Sequence, residues 1–429
     1  MKNETFRTGC RYWPRRKGPF FFAGGFGSWE LNLWDVGEVR DELSHIADIG
    51  FDFVRLALPW EVLQPSATRI RPALLNRLLL LLDAAEAAQL NVQLTLAGQL
   101  SGTLFIPYWL LATKPEMAFH TMQKRVITED WVSPWPLGNF YQESSLLAGQ
   151  RLFWREMTRH FAAHPALTEI DLSAGGLLSV VPPRNPEEAF RWWEALSESA
   201  SEEEIILLYS DSPALFMQST NRVPRLHEWH ATVGQLAIAT TTIMVGNANG
   251  EEALRAEVDQ TWPLFQMLLA RTLAHAPVGS ISLGVPTSQA GARYLDLEEL
   301  YPAQEAKPHP IVLYAEEEQA RFFHETLPAL YNIGLPFICH TVWADAPPNL
   351  QPTPPYDQNI PLRHAGLLRA DGGEKEAASV WRSFHAERAN RAAPTSIRAL
   401  EIDEDEWYQR RHEVDFISTL YQRYRYGEI

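Results

Sequence analysis

Short runs rich in β-formers alternate along this chain with amphipathic helical segments, and that alternation restricts the fold more than any other feature. Eight such runs can be read: Pro19–Ala23, Phe51–Leu58, Asn91–Ala97, Leu167–Leu172, Glu204–Tyr209, Leu236–Val245, Val278–Val285 and Pro336–Trp343. Between them, Pro72–Gln89 carries a Leu-rich stripe and an Ala-rich end suited to packing on a sheet. Gly37–Ile49 ends at Gly50 and Glu316–Asn332 stops before Gly334, residues that can take the left-handed backbone closing a helix. Thr261–Leu273 sets Phe265, Leu268, Leu269 and Thr272 on one face at helical spacing. Parallel strands joined by helical crossovers close most simply into an α/β fold of the (β/α)8 TIM barrel type. An open doubly wound sheet is the alternative. It lacks its Gly-rich dinucleotide turn here, since Gly24-Gly25-Phe26-Gly27 has the wrong spacing and reads as a loop.

At 429 residues and 46% hydrophobic content the chain can fill such a core as one unit. Residues 1–390 are assigned to a single barrel and 391–429 to a helical appendage on its exterior, ending in a charged aromatic helix, Glu404–Tyr426. The formal charge of −16 argues against a nucleic-acid partner, because phosphate binding needs clustered cations. The basic patch from Arg11 to Lys17 is short and reads as a solvated N-terminal segment. Cys10 and Cys339 lie far apart and define no disulfide framework. The N-terminus lacks the apolar core of a signal peptide, and no apolar run approaches the ~20 residues of a membrane span, so a cytoplasmic location and no membrane partner are expected. Most of the fifteen tryptophans must serve packing, and those at strand ends are also candidate platforms for flat ligand faces.

Several motifs then acquire meaning by their order. Trp60-Glu61-Val62-Leu63-Gln64-Pro65, following Val54-Arg55, resembles the second-strand region of clan A glycoside hydrolases of the cellulase and mannanase (family 5) type. Gly98-Gln99-Leu100-Ser101-Gly102 with Ile106-Pro107-Tyr108-Trp109-Leu110-Leu111 is similar to the loop after the third strand in one bacterial branch. Trp343-Ala344-Asp345 and Gly366-Leu367-Leu368-Arg369-Ala370-Asp371-Gly372 are similar to that branch's closing segment. The resemblance runs from about Tyr12 to the C-terminal helix.

It implies a C-terminal-face cleft and retaining hydrolysis by two glutamates about 5–5.5 Å apart, one after the fourth strand and one ending the seventh. The family pattern His-Pro-Ala, Trp-Asp-Leu, Gly-Asn-Glu-Pro lines up without a gap on His164 to Gly176. The resemblance then places Ala174 at the asparagine and Gly175 at the acid/base. Ser282, in Ser282-Leu283-Gly284-Val285, stands at the nucleophile. The His-x-Tyr element after the sixth strand is matched by Val245-Gly246-Asn247-Ala248-Asn249. Glycine supplies no proton, and a serine without an adjacent base does not replace a carboxylate nucleophile.

The ligand-binding candidates are Arg55, Trp60, Glu61, Asn247, Trp343 and Asp345. Arg55 has two readings: a structural ion pair, with Glu61 and Asp345 as candidate partners, or a receptor for an anionic ligand such as a uronic acid. Trp343 matches the family's sugar-stacking platform or packs in the barrel. Asn247 and Asn249 can bond hydroxyls or shape a loop, and His340 lies at the rim or in the wall. Relocated acids among Glu61, Glu169, Asp171 and Asp211 offer a second route to catalysis, although no spacing selects a pair. No metal is indicated, since His227-Glu228-Trp229-His230 lacks the paired spacing of a zinc helix and a nearby third ligand, and no motif calls for a cofactor. Three readings stay open: a pseudo-glycosidase binding carbohydrate or another protein, a divergent hydrolase or transglycosidase acting on β-linked glucan or mannan, and a scaffold with a plugged cleft.

Overall fold

The computed structural model describes residues 6–20, 34–100, 103–112, 125–128, 131–133, 136–200, 205–217, 221–240, 258–294, 311–388, 390–391 and 399–429. Eight strands close a barrel: β1 (Arg7–Tyr12), β2 (Phe53–Leu58), β3 (Asn91–Leu96), β4 (Leu167–Asp171), β5 (Ile206–Asp211), β6 (Leu236–Ala239), β7 (Gly279–Leu283) and β8 (Phe337–His340). Every neighbouring pair is parallel and the strands follow in chain order around the ring, with β8 pairing back onto β1. Parallel neighbours of this kind require a crossover each time, which the helices supply.

Seven of the eight runs read from the sequence are barrel strands within a few residues. The first is not. Its described part falls in a short 3-10 turn, Gly18–Phe20, residues 21–23 lie outside the described residues, and β1 is the earlier run Arg7–Tyr12. Residues 241–245 of the sixth run lie outside the described residues.

The principal helices are α1 (Val36–Ile49), α2 (Pro72–Ala87), α3 (Ser144–Phe161), α4 (Pro186–Ala200), α5 (Leu226–Val233), α6 (Thr261–Ala274), α7 (Glu316–Asn332), α8 (Glu376–Arg388), α9 (Glu404–Arg410) and α10 (Val414–Arg425). Local chemistry fixes their ends. Asp35 caps α1 by accepting from the Glu38 amide, and Gly50 closes it at φ 103°. Acidic residues Glu316 to Glu318 sit in the first turn of α7, where the helix dipole favours them. The segment expected to be one terminal helix is two, α9 and α10, packed outside the barrel. Trp407 of α9 is buried and donates its indole N–H to the Phe216 carbonyl at 3.2 Å, while Tyr421 of α10 bonds Asp259 at 2.6 Å.

Side chains fill the barrel in layers. Phe53, Leu208, Ala237, Ile281, Phe337 and Cys339 form an interior apolar cluster. Gly9 and Gly279 leave room for its rings: a Cβ at Gly9 would come within 2.2 Å of Phe53, and one at Gly279 within 2.4 Å of Phe337. The Arg7 guanidinium lies 5.7 Å from both ring centroids and pairs with Glu169. No helix among the described residues is long and apolar enough to cross a membrane.

Candidate functional site

Strand alternation turns Arg55, Gln93, Asp171 and Ser210 toward one another inside the barrel. Arg55 is only 2% exposed and donates to Gln93, to Asp171 and, at 2.9 Å, to the Ser210 hydroxyl. Ser210 also donates to Asp171, and Gln93 donates to Glu169 at 2.6 Å. The counter-ion of Arg55 is therefore Asp171, and the expected partners Glu61 and Asp345 are corrected. Strand pleating brings Asp171 to the Arg55 layer, whereas Glu61 and Asp345 follow the ends of their strands.

Above this network the chain leaves β4 through Ala174, Gly175 and Gly176, at φ 51°, 87° and 92°. The Gln99 amide donates to the Ala174 carbonyl at 2.9 Å, which pins the loop after β3 over the turn. A Cβ on Gly175 would stand 2.4 Å from the Gln99 carbonyl oxygen. Backbone thus fills the place where a side chain at Gly175 would begin. Ser282, in β7, is partly exposed, and its hydroxyl lies 3.0 Å from that of Thr341. Thr240 donates its amide to the Ser282 carbonyl at 2.9 Å.

The remaining candidates are distributed around the same end of the barrel. Trp60 is buried in a short helical turn after β2, donates to Gln64 at 2.9 Å and meets Trp109 edge-on. Glu61 beside it is partly exposed at a small crevice also lined by Pro19, Leu100 and Phe105. Trp343 is fully buried with His45 edge-on at 5.1 Å, a placement that serves wall packing. Asp345 is buried against Lys375 at 2.8 Å and accepts the Gly366 amide at 2.9 Å; burial pushes its carboxyl up to about 6, against the opposing pull of Lys375. His340 points into the wall between Phe323 and Trp381, and burial holds it neutral, with its pKa pushed down to about 3. Asp211 accepts from Tyr209 at 2.6 Å and from the Ser212 amide at 2.7 Å, and burial raises it to about 6. Asn247 and Asn249 lie outside the described residues.

The fold also assembles what sequence spacing could not show. His227 and His275 stack at 5.0 Å and both contact Glu404 of α9, at 2.7 and 3.2 Å. Two further candidate ligands therefore stand beside His227, from distant parts of the chain. The triad also fastens α9 to the barrel.

Arg11 was missed as well. It is not part of a solvated segment: it pairs in register with Arg55 on β1, partly exposed within the barrel wall. The signal was its even spacing from Arg7 and Gly9, which marks one strand face.

The closed parallel barrel has a clan A glycoside hydrolase-like fold, which it shares with several solved structures. No protein-family model matches the chain, and no curated protein sequence does. A GH5_18 variant from Streptomyces cattleya, solved in complex with Manβ1-4GlcNAc, aligns with a TM-score of 0.70 at 18% identity, covering 98% of this chain and 91% of that one. GH5_18 from Bifidobacterium longum subsp. longum aligns at 0.66 and 18%, covering 91% and 81%. An exo-β-1,4-mannosidase from Opitutaceae bacterium strain TAV5 aligns at 0.66 and 20%, covering 91% of this chain and 61% of that one.

Proposed function

We propose that this barrel binds carbohydrate at its C-terminal mouth without hydrolysing it by the retaining mechanism. The observation that carries the reading is Gly175: at φ 87°, with the Gln99 carbonyl 2.4 Å from where its Cβ would lie, the aligned acid/base position has neither a carboxyl nor space for one. Ser282, at the aligned nucleophile position, bonds a threonine hydroxyl and has no base hydrogen-bonded to it among the described residues. Asp171 is committed to Arg55, and Asp345 to Lys375. Glu61 and Asn247 are proposed as ligand contacts, with Trp60, Arg55, Trp343 and Asp345 holding the walls that shape the mouth. We treat residues 1–390 as the binding unit and 391–429 as its exterior appendage. No cofactor enters this reading.

The test is calorimetric titration with β-linked manno- and gluco-oligosaccharides, with product analysis of the same samples. Saturable binding without new reducing ends supports the reading. Turnover abolished by a single carboxylate change such as Asp211→Asn or Glu61→Gln overturns it in favour of relocated acids. Absence of binding across both series favours a protein partner or a scaffold role.

A further inference from the structure

Among the described residues, the charges inside the barrel do not balance. The interior faces of the strands carry Arg7, Arg11 and Arg55 against Glu169 and Asp171. Arg7 is paired with Glu169 and Arg55 with Asp171. Asp211 does not enter this sum, because it shares the outward strand face with Tyr209, which bonds it and packs against Trp229. The Arg11 carbonyl accepts from the Trp343 amide at 2.9 Å, but its guanidinium has no hydrogen bond and no carboxylate among the described residues. Its surroundings are the Trp13 ring at 5.7 Å, Arg55, Cys10, Cys339 and Tyr356, none of which is an anion at neutral pH. Burial lowers its pKa to about 10, so the guanidinium keeps its charge at neutral pH. A cation held half-buried and unpaired is favoured by a counter-ion.

Position says where that counter-ion can arrive. Continuing the register one step beyond the Cys10–His340 pair sets Arg11 beside Thr341, just past the end of β8, where the Trp343 amide bonds the Arg11 carbonyl at 2.9 Å. Thr341 bonds Ser282 on the next strand. Arg11, Thr341 and Ser282 thus follow on successive strands at the C-terminal end, and all three keep partial exposure while Arg55, the register partner of Arg11, is buried. The result is one spare positive charge flanked by two hydroxyls.

We propose that the mouth takes a uronate, a sugar bearing a carboxylate, whose anionic group pairs with Arg11 while Thr341 and Ser282 meet its hydroxyls. One spare cation matches the single charge of a carboxylate better than the near-double charge of a phosphate. A planar guanidinium also accepts a carboxylate in two parallel hydrogen bonds. The inference rests on the carbohydrate-binding reading above and adds the ligand class to it.

The test is titration of the full chain with β-linked disaccharides ending in glucuronate or mannuronate and with their neutral counterparts, cellobiose and mannobiose. It is repeated on Arg11→Gln and Arg11→Lys. A uronate is expected to bind roughly tenfold to a hundredfold more tightly than its neutral counterpart, the size of a charge-assisted bond. Arg11→Gln should erase that preference with melting temperature unchanged or raised, and Arg11→Lys should restore part of it. Equal affinity for acidic and neutral sugars in the native chain overturns the uronate assignment and leaves the carbohydrate reading standing. Binding of none of the four overturns both.

Discussion

Arg55 and Arg11 are register partners on adjacent strands, and replacing each has an opposite consequence. Arg55→Met strands Asp171 as a buried, uncompensated carboxylate, so a loss of about 3–5 kcal/mol is expected in urea unfolding. Arg11→Met removes a charge that no described residue offsets. Its stability should be equal to or above that of the native chain, and a loss as large as that of Arg55→Met would contradict the charge count. Lys375→Met should behave like Arg55→Met, because it strands Asp345, whereas Lys375→Met with Asp345→Leu should recover much of the loss. Sequence made Arg55 visible through its position beside the Trp60-Glu61 motif. Arg11 stayed hidden because the inward face of β1 is Arg7, Gly9 and Arg11, so hydrophobic alternation survives only on the outward face, at Cys10 and Tyr12. The Phe-rich run at 19–23 has the composition of a strand, and it displaced β1 in the reading.

The loop after β3 and the turn after β4 act together. Gln99 bonds Ala174 and covers Gly175, so a side chain at 175 forces two backbone segments apart. Gly175→Glu is expected to destabilise the chain by roughly 1–3 kcal/mol and to restore no hydrolysis, as read by thermal melting and product analysis. Measurable hydrolysis by Gly175→Glu would show that the loop yields easily. At the other end of the chain, Trp407→Ala removes a fully buried indole and its bond to Phe216, at a cost of about 3–5 kcal/mol. Hydrogen exchange should rise first in α9 and α10. Elements with strong periodicity were legible: Glu316–Asn332 agrees to the residue, and seven strands agree within a few. The break between α9 and α10 was not, since its residues Arg411-His412-Glu413 carry no glycine or proline to announce it.

Across the whole molecule, two sets of buried and half-buried titrating groups pull stability in opposite directions with pH. Burial lowers His340 to about 3 and His364 and His385 to about 4, below the ordinary imidazole value. Unfolded imidazoles take up protons near 6.5, so this contribution is complete above that pH and is lost as pH falls toward 4. Burial raises Glu42 to about 7 and Asp211 and Asp345 to about 6. The folded state there holds protons the unfolded chain releases near 4, so their contribution is complete below about 4 and lost as pH rises through 6 to 7. His340→Met should therefore lose less stability than the native chain between pH 6.5 and 4.5, as melting temperatures at both pH values will register. A difference unchanged between those pH values would mean that His340 is not held neutral.

The claim that organises these features is that the barrel binds sugar and leaves it whole. Saturation-transfer NMR followed over a day on one sample of the protein with a β-linked uronate disaccharide reads both halves at once. The account predicts persistent transfer to ligand protons with constant reducing-end anomeric signals. Growth of new anomeric signals above a protein-free control, or no transfer at all, would contradict it.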